Sequence, residues 1–174
     1  MIVDIKKGSF VKGLIRYHEN KVSEGKAERI LDNTLSYTTN ERVQYYLDVA
    51  EMNPRVYRNR FAHFSVSFNS ADQKVDAKDF LQIADRYLKA MGYDDVPLLI
   101  YEHKDSGHQH FHIVTTTITY EAKKIKEFND HERSQTLSRQ IEQEFNLVPT
   151  LYYKADQKNL VEINAERYSL DNAI

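Results

Sequence analysis

Alternating apolar and polar residues mark one strand of the chain clearly, in "RFAHFSVSFN" at residues 60–69. One face of this segment carries Ala62, Phe64, Val66 and Phe68, and the other carries Phe61, His63, Ser65 and Ser67. A period of two residues predicts a strand with one buried face. Three further strands are predicted, in the opening "MIVDIKK" and in the later segments "VPLLIYEH" and "HFHIVTTTITY".

Four segments have the spacing of amphipathic helices. The first runs from Phe10 to about Lys21, and its apolar stripe of Phe10, Leu14 and Tyr17 places Tyr17 on the buried face. The second covers residues 38–54, with Thr39 or Asn40 as its N-cap. The third covers residues 76–92, where Asp76 can cap the start and Gly92 can end the helix. The fourth spans His131 to Phe145.

This mixture of elements predicts one α+β domain in which helices pack against an antiparallel sheet. A chain of 20.5 kDa with 41% hydrophobic residues can bury one sizeable core. The domain is expected to cover residues 1–147. Residues 148–174 are polar and weakly patterned, and we expect them to be a C-terminal extension leading into a longer protein.

Charge and cysteine content limit the kinds of binding site and the cellular compartment that we expect for this chain. The formal net charge is −2, so any site for a polyanion must be a local patch. The chain has no cysteine, which excludes disulfides and thiolate metal sites. It shows no signal peptide and no apolar run near the length of a membrane span. We therefore expect a cytoplasmic protein with no membrane partner.

Four of the seven histidines lie in "EHKDSGHQHFHIV" at residues 102–114. Two strands joined by "KDSGHQ" predict an antiparallel hairpin, and alternation places His110 and His112 on one face. If His103 pairs with His110, three imidazoles converge within about 5 Å. Such a set can hold a divalent metal with open positions for substrate. The alternative is a strand face that is rich in histidine without binding metal.

Three further residues near this hairpin are considered for a role at the site: His108, Asp105 and Glu102. His108 lies in the turn and is either a loop residue or a substrate contact. Asp105 could orient an imidazole or cap the turn. Glu102 is near in sequence, but alternation places it on the face opposite His103.

With these motifs, the chain resembles the relaxase/mobilisation nucleases of the HUH endonuclease superfamily, and more narrowly the mobilisation relaxases of Bacteroides-type bacteria. The resemblance covers residues 1–147 and rests on "MIVDIKKGSFVKGLIRYHENKV", "NPRVYRNRFAHFSVSFNSAD", "MGYDDVPLLIYEHKDSGHQHFHIV" and "HERSQTLSRQIEQEFNL". Its most specific part is a histidine, six residues, and then histidine, an apolar residue and histidine. These are His103, His110, Phe111 and His112.

The resemblance implies a metal-dependent enzyme that nicks single-stranded DNA at a transfer origin, and it suggests accessory mobilisation proteins as partners. It assigns the metal to His103, His110 and His112 and the attacking oxygen to Tyr17, whose surroundings "GLIRYHENKV" match the family's tyrosine motif. Tyr45 and Tyr46 are the alternative. The expected ion is manganese or magnesium, and zinc and nickel are further candidates. Three nitrogen ligands suit manganese, zinc or nickel better than magnesium.

Local basic residues offer candidate DNA contacts despite the acidic total. The first 29 residues hold seven basic and four acidic side chains, among them Arg16. Arg55, Arg58 and Arg60 flank Tyr57 in a second cluster that could bind phosphate and stack a base. Two other functions stay open: a His-metal hydrolase that uses a metal-bound hydroxide, and a non-catalytic DNA-binding or replication-initiator relative.

Overall fold

The fold is taken from a computed structural model that describes residues 1–72, 75–104 and 109–150. Its elements, in chain order, are β1 (Ile2–Gly8), α1 (Lys12–Ser23), β2 (Ala27–Asp32), α2 (Thr39–Glu51), β3 (Phe61–Ser67), α3 (Ala77–Met91), β4 (Leu98–His103), β5 (His110–Thr116) and α4 (Asp130–Glu144). The predicted α+β class is confirmed, and all the predicted strands and helices are present. The strand β2 was not predicted.

The strands form one sheet in the order β1-β3-β5-β4-β2, and every neighbouring pair is antiparallel. The hairpin strands β4 and β5 therefore lie inside the sheet, with β2 covering the outer side of β4. In β2 the pairing register with β4 shifts between Arg29 and Leu31, so apolar and polar residues do not alternate regularly along this strand. A search for alternating residues therefore does not detect β2.

Two hydrophobic clusters pack on opposite faces of the sheet. The larger joins the sheet to α3 and α4, and within it the rings of Phe80 and Phe111 stack with centroids 3.7 Å apart. The smaller joins the other face to α1 and α2 through residues such as Ile15, Tyr46 and Val114. Since His110 and His112 alternate with Phe111 along β5, the imidazoles face α1 and α2.

Helix ends follow local side-chain chemistry. Asp76 caps α3 by accepting a hydrogen bond from the Asp79 backbone N–H, and Gly92 ends the helix at φ 89°, as predicted. The predicted N-cap of α2 was wrong by one or two residues. Thr38 is the cap, because Glu41 lies three residues after it and the two form a reciprocal capping box.

Within the described ranges, no helix is long and apolar enough to cross a membrane. Of the predicted extension, only residues 148–150 are described, and residues 151–174 lie outside the described part. The division into a domain and an extension therefore stays a prediction.

Candidate metal centre and active site

The predicted hairpin register brings three imidazoles together. His103 at the end of β4 pairs with His110 at the start of β5, and Tyr101 pairs with His112. The His103 ring centroid is 4.3 Å from that of His112 and 5.1 Å from that of His110. One ring nitrogen from each of the three histidines lies within 4.8 Å of the others. The geometry has the form of a metal site, and its occupancy by metal stays a prediction.

Two more histidines extend this group into a cluster of five. On α1, His18 Nδ1 lies 2.9 Å from His103 Nε2. On β3, His63 Nε2 lies 3.0 Å from His112 Nδ1. Sequence reasoning placed His63 on the strand face that it shares with Ser65 and Ser67, and it missed His18. We call His18, His63, His103, His110 and His112 the imidazole cluster.

The phase of α1 corrects the prediction for Tyr17. The predicted stripe put Tyr17 on the buried face, but Tyr17 is 52% exposed and Phe10 is 92% exposed. Val11, Ile15 and His18 are the residues buried on this side, at spacings of four and three. The helix meets α2 and the sheet through that stripe, which turns the ring of Tyr17 outward.

The outward position of Tyr17 places it beside the cluster. Its ring centroid is 5.1 Å from that of His18 and 6.0 Å from that of His103. The ammonium of Lys21 lies 5.8 Å from the Tyr17 ring centroid, on the same side of α1. An accessible phenol next to a group of imidazoles is an arrangement suited to nucleophilic attack on a charged substrate.

Burial keeps much of the cluster neutral. Desolvation lowers the pKa of His112 to about 2 and that of His18 to about 3, and repulsion from neighbouring imidazoles adds to both shifts. Desolvation, helped by the charge of Lys6, lowers the pKa of His63 to about 4. At neutral pH these rings therefore keep free nitrogen lone pairs, and neutral imidazole is the form that binds metal.

A buried polar network holds α1 against the sheet at this point. Tyr101 stacks on His18 with centroids 4.8 Å apart, and its hydroxyl donates to Glu19 Oε1 at 2.7 Å. The same carboxylate accepts two hydrogen bonds from Arg29 of β2. Burial raises the pKa of Tyr101 well above its usual value. Tyr101 therefore supports His18 and is a poor candidate nucleophile.

Tyr45 and Tyr46, the alternative nucleophiles, contact other parts of the protein than the imidazole cluster. Tyr46 is fully buried, and its hydroxyl donates to the Val114 backbone carbonyl at 2.7 Å. Tyr45 packs edge-on against Tyr120, with centroids 6.5 Å apart. Of the candidate tyrosines, Tyr17 is the one whose ring contacts the imidazole cluster.

Glu102, the acidic neighbour of the triad that the structure describes, does not face the triad. Glu102 pairs with Phe111 across the hairpin, so it points to the opposite face from His103, as predicted. There its carboxylate accepts a hydrogen bond from the Gln109 side chain at 2.9 Å. Asp105 and His108 lie outside the described residues.

The candidate DNA-binding arginines lie on α1 and in the loop before β3. Arg16 is exposed on α1 and donates to Asn40 at 3.2 Å. Arg55 and Arg58 are exposed in the loop before β3, where Arg58 lies 5.6 Å from the Tyr57 ring centroid. Arg60 is half-buried. This loop joins the end of β3 away from the triad.

The separation between that loop and the triad can be read from the register. Ser65 pairs with His112, and five residues of strand from Arg60 span about 17 Å. The structure therefore does not bring the Arg55–Arg60 loop to the triad itself.

A cavity of about 250 Å³ lies beside the first residues of β3. Its lining includes Lys6, Lys7, Phe10, Leu14, Phe61 and His63. His63 belongs to the imidazole cluster, and Phe61 begins β3 directly after the arginine loop. The cavity is therefore bordered by one imidazole of the cluster, by the exposed ring of Phe10 and by the residue that follows the basic loop. The ammonium of Lys7 pairs with Asp130 and Glu127, which leaves Lys6 as the lysine of this cavity whose ammonium can meet a phosphate.

Comparison with known proteins supports the resemblance noted in the sequence. The family model described as "Relaxase: MobA/VirD2-like, nuclease domain" matches residues 17–147. The match begins at Tyr17 and includes the whole hairpin of the triad. A search of curated proteins found no match. The narrower similarity to Bacteroides-type relaxases stays a prediction.

Proposed function

The chain belongs to the relaxase family of MobA/VirD2-like nuclease domains and is therefore a DNA-nicking enzyme, and we propose that it cuts single-stranded transfer-origin DNA with Tyr17 as nucleophile. In this proposal the cut begins mobilisation of a plasmid or transposon in the cytoplasm, together with accessory mobilisation proteins. The observation that carries the proposal is the exposed ring of Tyr17, 6.0 Å from His103 between centroids.

The proposed reaction is a reversible transfer of one phosphodiester. The phenolic oxygen of Tyr17 forms a bond to the scissile phosphorus, and the bond from phosphorus to the 3′ oxygen breaks. Tyr17 gives up one proton and the leaving 3′ oxygen takes one up, so the reaction consumes no net proton. A phenolate leaves more readily than an alkoxide, so the 5′-phosphotyrosyl link keeps the strand ready for rejoining.

His103, His110 and His112 are the residues proposed to hold the metal. Their converging nitrogens and the neutral state of His112 at physiological pH fit a divalent cation. When bound, a divalent ion supplies Lewis-acid stabilisation of the charge that develops on the scissile phosphate. Nitrogen donors favour manganese, zinc or nickel over magnesium. The chain's own part is to fix the three rings on adjacent strands.

For the DNA, we propose a path from the Tyr17 side of the cluster to the arginine loop. Arg16 neighbours Tyr17, and the cavity beside Phe10 is lined by His63 of the cluster and by Phe61, which follows the loop. Arg55, Arg58 and Arg60 then provide guanidinium groups for phosphates. Exposed aromatic rings along a basic path suit single strands, because unpaired bases can stack on them.

Arg58→Ala should weaken single-stranded DNA binding by removing one phosphate contact. The slope of log affinity against log salt should become shallower by about 0.7, the value for one single-strand phosphate contact. The measurement is fluorescence anisotropy with a labelled single-stranded oligonucleotide across a range of salt concentrations. Lys78→Ala, an exposed change on α3 across the sheet, is the matched control. An unchanged slope in Arg58→Ala would remove this loop from the DNA path.

Covalent capture tests the proposed function. Labelled single-stranded oligonucleotides that tile the DNA flanking the coding sequence are incubated with the protein, with manganese or with chelator. We expect one oligonucleotide to be cut and a fraction of its label to migrate with the protein on a denaturing gel. The adduct should be absent with chelator.

A metal hydrolase would behave differently in the same assay. Hydroxide attack would cut the oligonucleotide but leave no label on the denatured protein, because water rather than the chain would become joined to the phosphate. Cutting without an adduct under all conditions would therefore replace the tyrosine mechanism by hydrolysis.

A further inference from the structure

The imidazole cluster contains more donors than one three-histidine site uses. We propose that His18, His63 and His112 form a second divalent-metal site that shares His112 with the triad. One ring nitrogen from each of these three residues lies within 4.8 Å of the others. The three come from α1, β3 and β5, so an ion there would tie α1 to two strands of the sheet. The proposal concerns metal binding alone and does not depend on the nicking activity.

The separation between the His63 and His112 nitrogens matches that of two ligands around one ion. Zinc–nitrogen bonds of about 2.0–2.1 Å place neighbouring ligand atoms about 2.8–3.4 Å apart in octahedral or tetrahedral shells. His63 Nε2 and His112 Nδ1 are 3.0 Å apart. These two rings also lie nearly parallel, with centroids 5.0 Å apart. Only small side-chain movements are then needed for both nitrogens to bind a common ion.

A buried nitrogen without a partner supplies the second observation. His18 Nδ1 is within hydrogen-bonding distance of His103, but His18 Nε2 is buried and has no hydrogen-bond partner. Leaving a buried polar atom unsatisfied costs about 1–3 kcal/mol. A metal ion on the His63 side of the cluster would give this nitrogen a partner. His18 lies 5.4 Å from His63 and 4.8 Å from His112 between ring centroids.

The two sites can be filled together because an imidazole has two nitrogens. His112 Nδ1 faces His63, which leaves Nε2 for the triad. If both sites were filled, His112 would offer one ring nitrogen to each ion, and its remaining ring proton would pass to solvent. Three nitrogen donors select zinc, nickel, cobalt or copper over magnesium and calcium. The site would then fix His18 and, with it, the turn of α1 that carries Tyr17.

Without a second ion, His18 and His63 would act through hydrogen bonds to triad imidazoles, which orient metal ligands in many proteins. The two roles differ in how many ions each chain binds. They also differ in the response to glutamine, which can replace a hydrogen bond of histidine but is a poor ligand for zinc.

Zinc stoichiometry tests the proposal on the chain freed of metal by chelator. After equilibrium dialysis against zinc, elemental analysis should find about two ions per wild-type chain and about one in both His63→Ala and His63→Gln. His131→Ala, which removes an exposed histidine outside the cluster, is the matched control and should keep about two. Circular dichroism of each apo variant checks that it is folded.

Thermal unfolding gives a second readout that does not use activity. Zinc in excess should raise the unfolding temperature of wild type further than that of His63→Gln, because binding to the folded state adds stability for each occupied site. The same number of ions in wild type and His63→Gln would overturn the second site. A single wild-type ion that His63→Gln loses would instead leave His18, His63 and His112 as the occupied site and count against the triad. Nicking by the same preparations is scored separately, so a failure here leaves the tyrosine mechanism standing.

Discussion

Tyr17→Phe should abolish strand cleavage and the covalent adduct together, while the protein stays folded and still binds single-stranded DNA. The substitution removes the attacking oxygen, and loss of a nucleophile typically lowers the rate by at least about 10³-fold. The ring is exposed, so the free energy of unfolding should change by no more than about 0.5 kcal/mol. The measurements are denaturing gels for cleavage and adduct, anisotropy for DNA binding, and thermal unfolding for stability.

A matched control separates this effect from the general loss of a tyrosine hydroxyl. Tyr37→Phe changes another exposed tyrosine, and its activity should equal that of wild type. Tyr46→Phe probes the alternative. It removes a buried hydrogen bond to Val114, so it should cost about 0.5–1.5 kcal/mol of stability and leave adduct formation intact. Wild-type cleavage in Tyr17→Phe would remove Tyr17 from the reaction.

His110→Ala should uncouple DNA binding from cutting. Loss of one triad ligand removes Lewis-acid stabilisation worth several kcal/mol, so cleavage should fall by at least about 10²-fold. Affinity for a single-stranded oligonucleotide should change by less than about threefold, because phosphate contacts by arginine and lysine dominate binding. His110 is half-buried at the start of β5, and its loss should leave the fold intact.

The metal dependence of His110→Ala is checked by titrating manganese into chelator-treated protein. Wild type should regain cleavage as manganese is added, and His110→Ala should not regain it at the same concentrations. His131→Ala again serves as the control, since its imidazole is exposed and outside the cluster. Full cleavage by His110→Ala in the presence of chelator would show that the triad has no part in catalysis.

Much of the fold could be predicted because several segments have a single consistent period. The alternation of residues 61–67 was compatible only with a strand, and the apolar stripe of residues 77–91 only with a helix. The structure contains both elements, as β3 and α3. The convergence of His103, His110 and His112 was also predictable. Alternation fixes the face of two of these histidines, and the symmetric hairpin register fixes the third.

The phase of α1 shows where sequence reasoning reached its limit. Two stripes fit its apolar residues, one through Phe10 and Tyr17 and one through Val11 and Ile15. Contacts with α2 and the sheet bury the second stripe, and no local signal in the sequence decides between them. The same uncertainty explains why His18 was missed. His18 follows Ile15 by three residues on the buried stripe, so its burial can be predicted only when the phase of the helix is known.

Long-range pairing explains the other omissions. The strand order β1-β3-β5-β4-β2 places His63 of β3 next to His112 of β5, although 49 residues separate them in the chain. Neither that neighbour relation nor the irregular strand β2 follows from periodicity. His63 therefore needed the sheet topology and His18 needed the phase of α1, whereas the triad needed only the hairpin.

The identity of the residue joined to DNA tests the central claim most directly. After cleavage, the adduct is digested with nuclease and trypsin, and the nucleotide-bearing peptide is sequenced by mass spectrometry. The account predicts a peptide that contains Tyr17 and ends at Lys21, with the nucleotide on the tyrosine. A nucleotide on the peptide that contains Tyr45 and Tyr46, or cleaved DNA with no modified peptide, would contradict it.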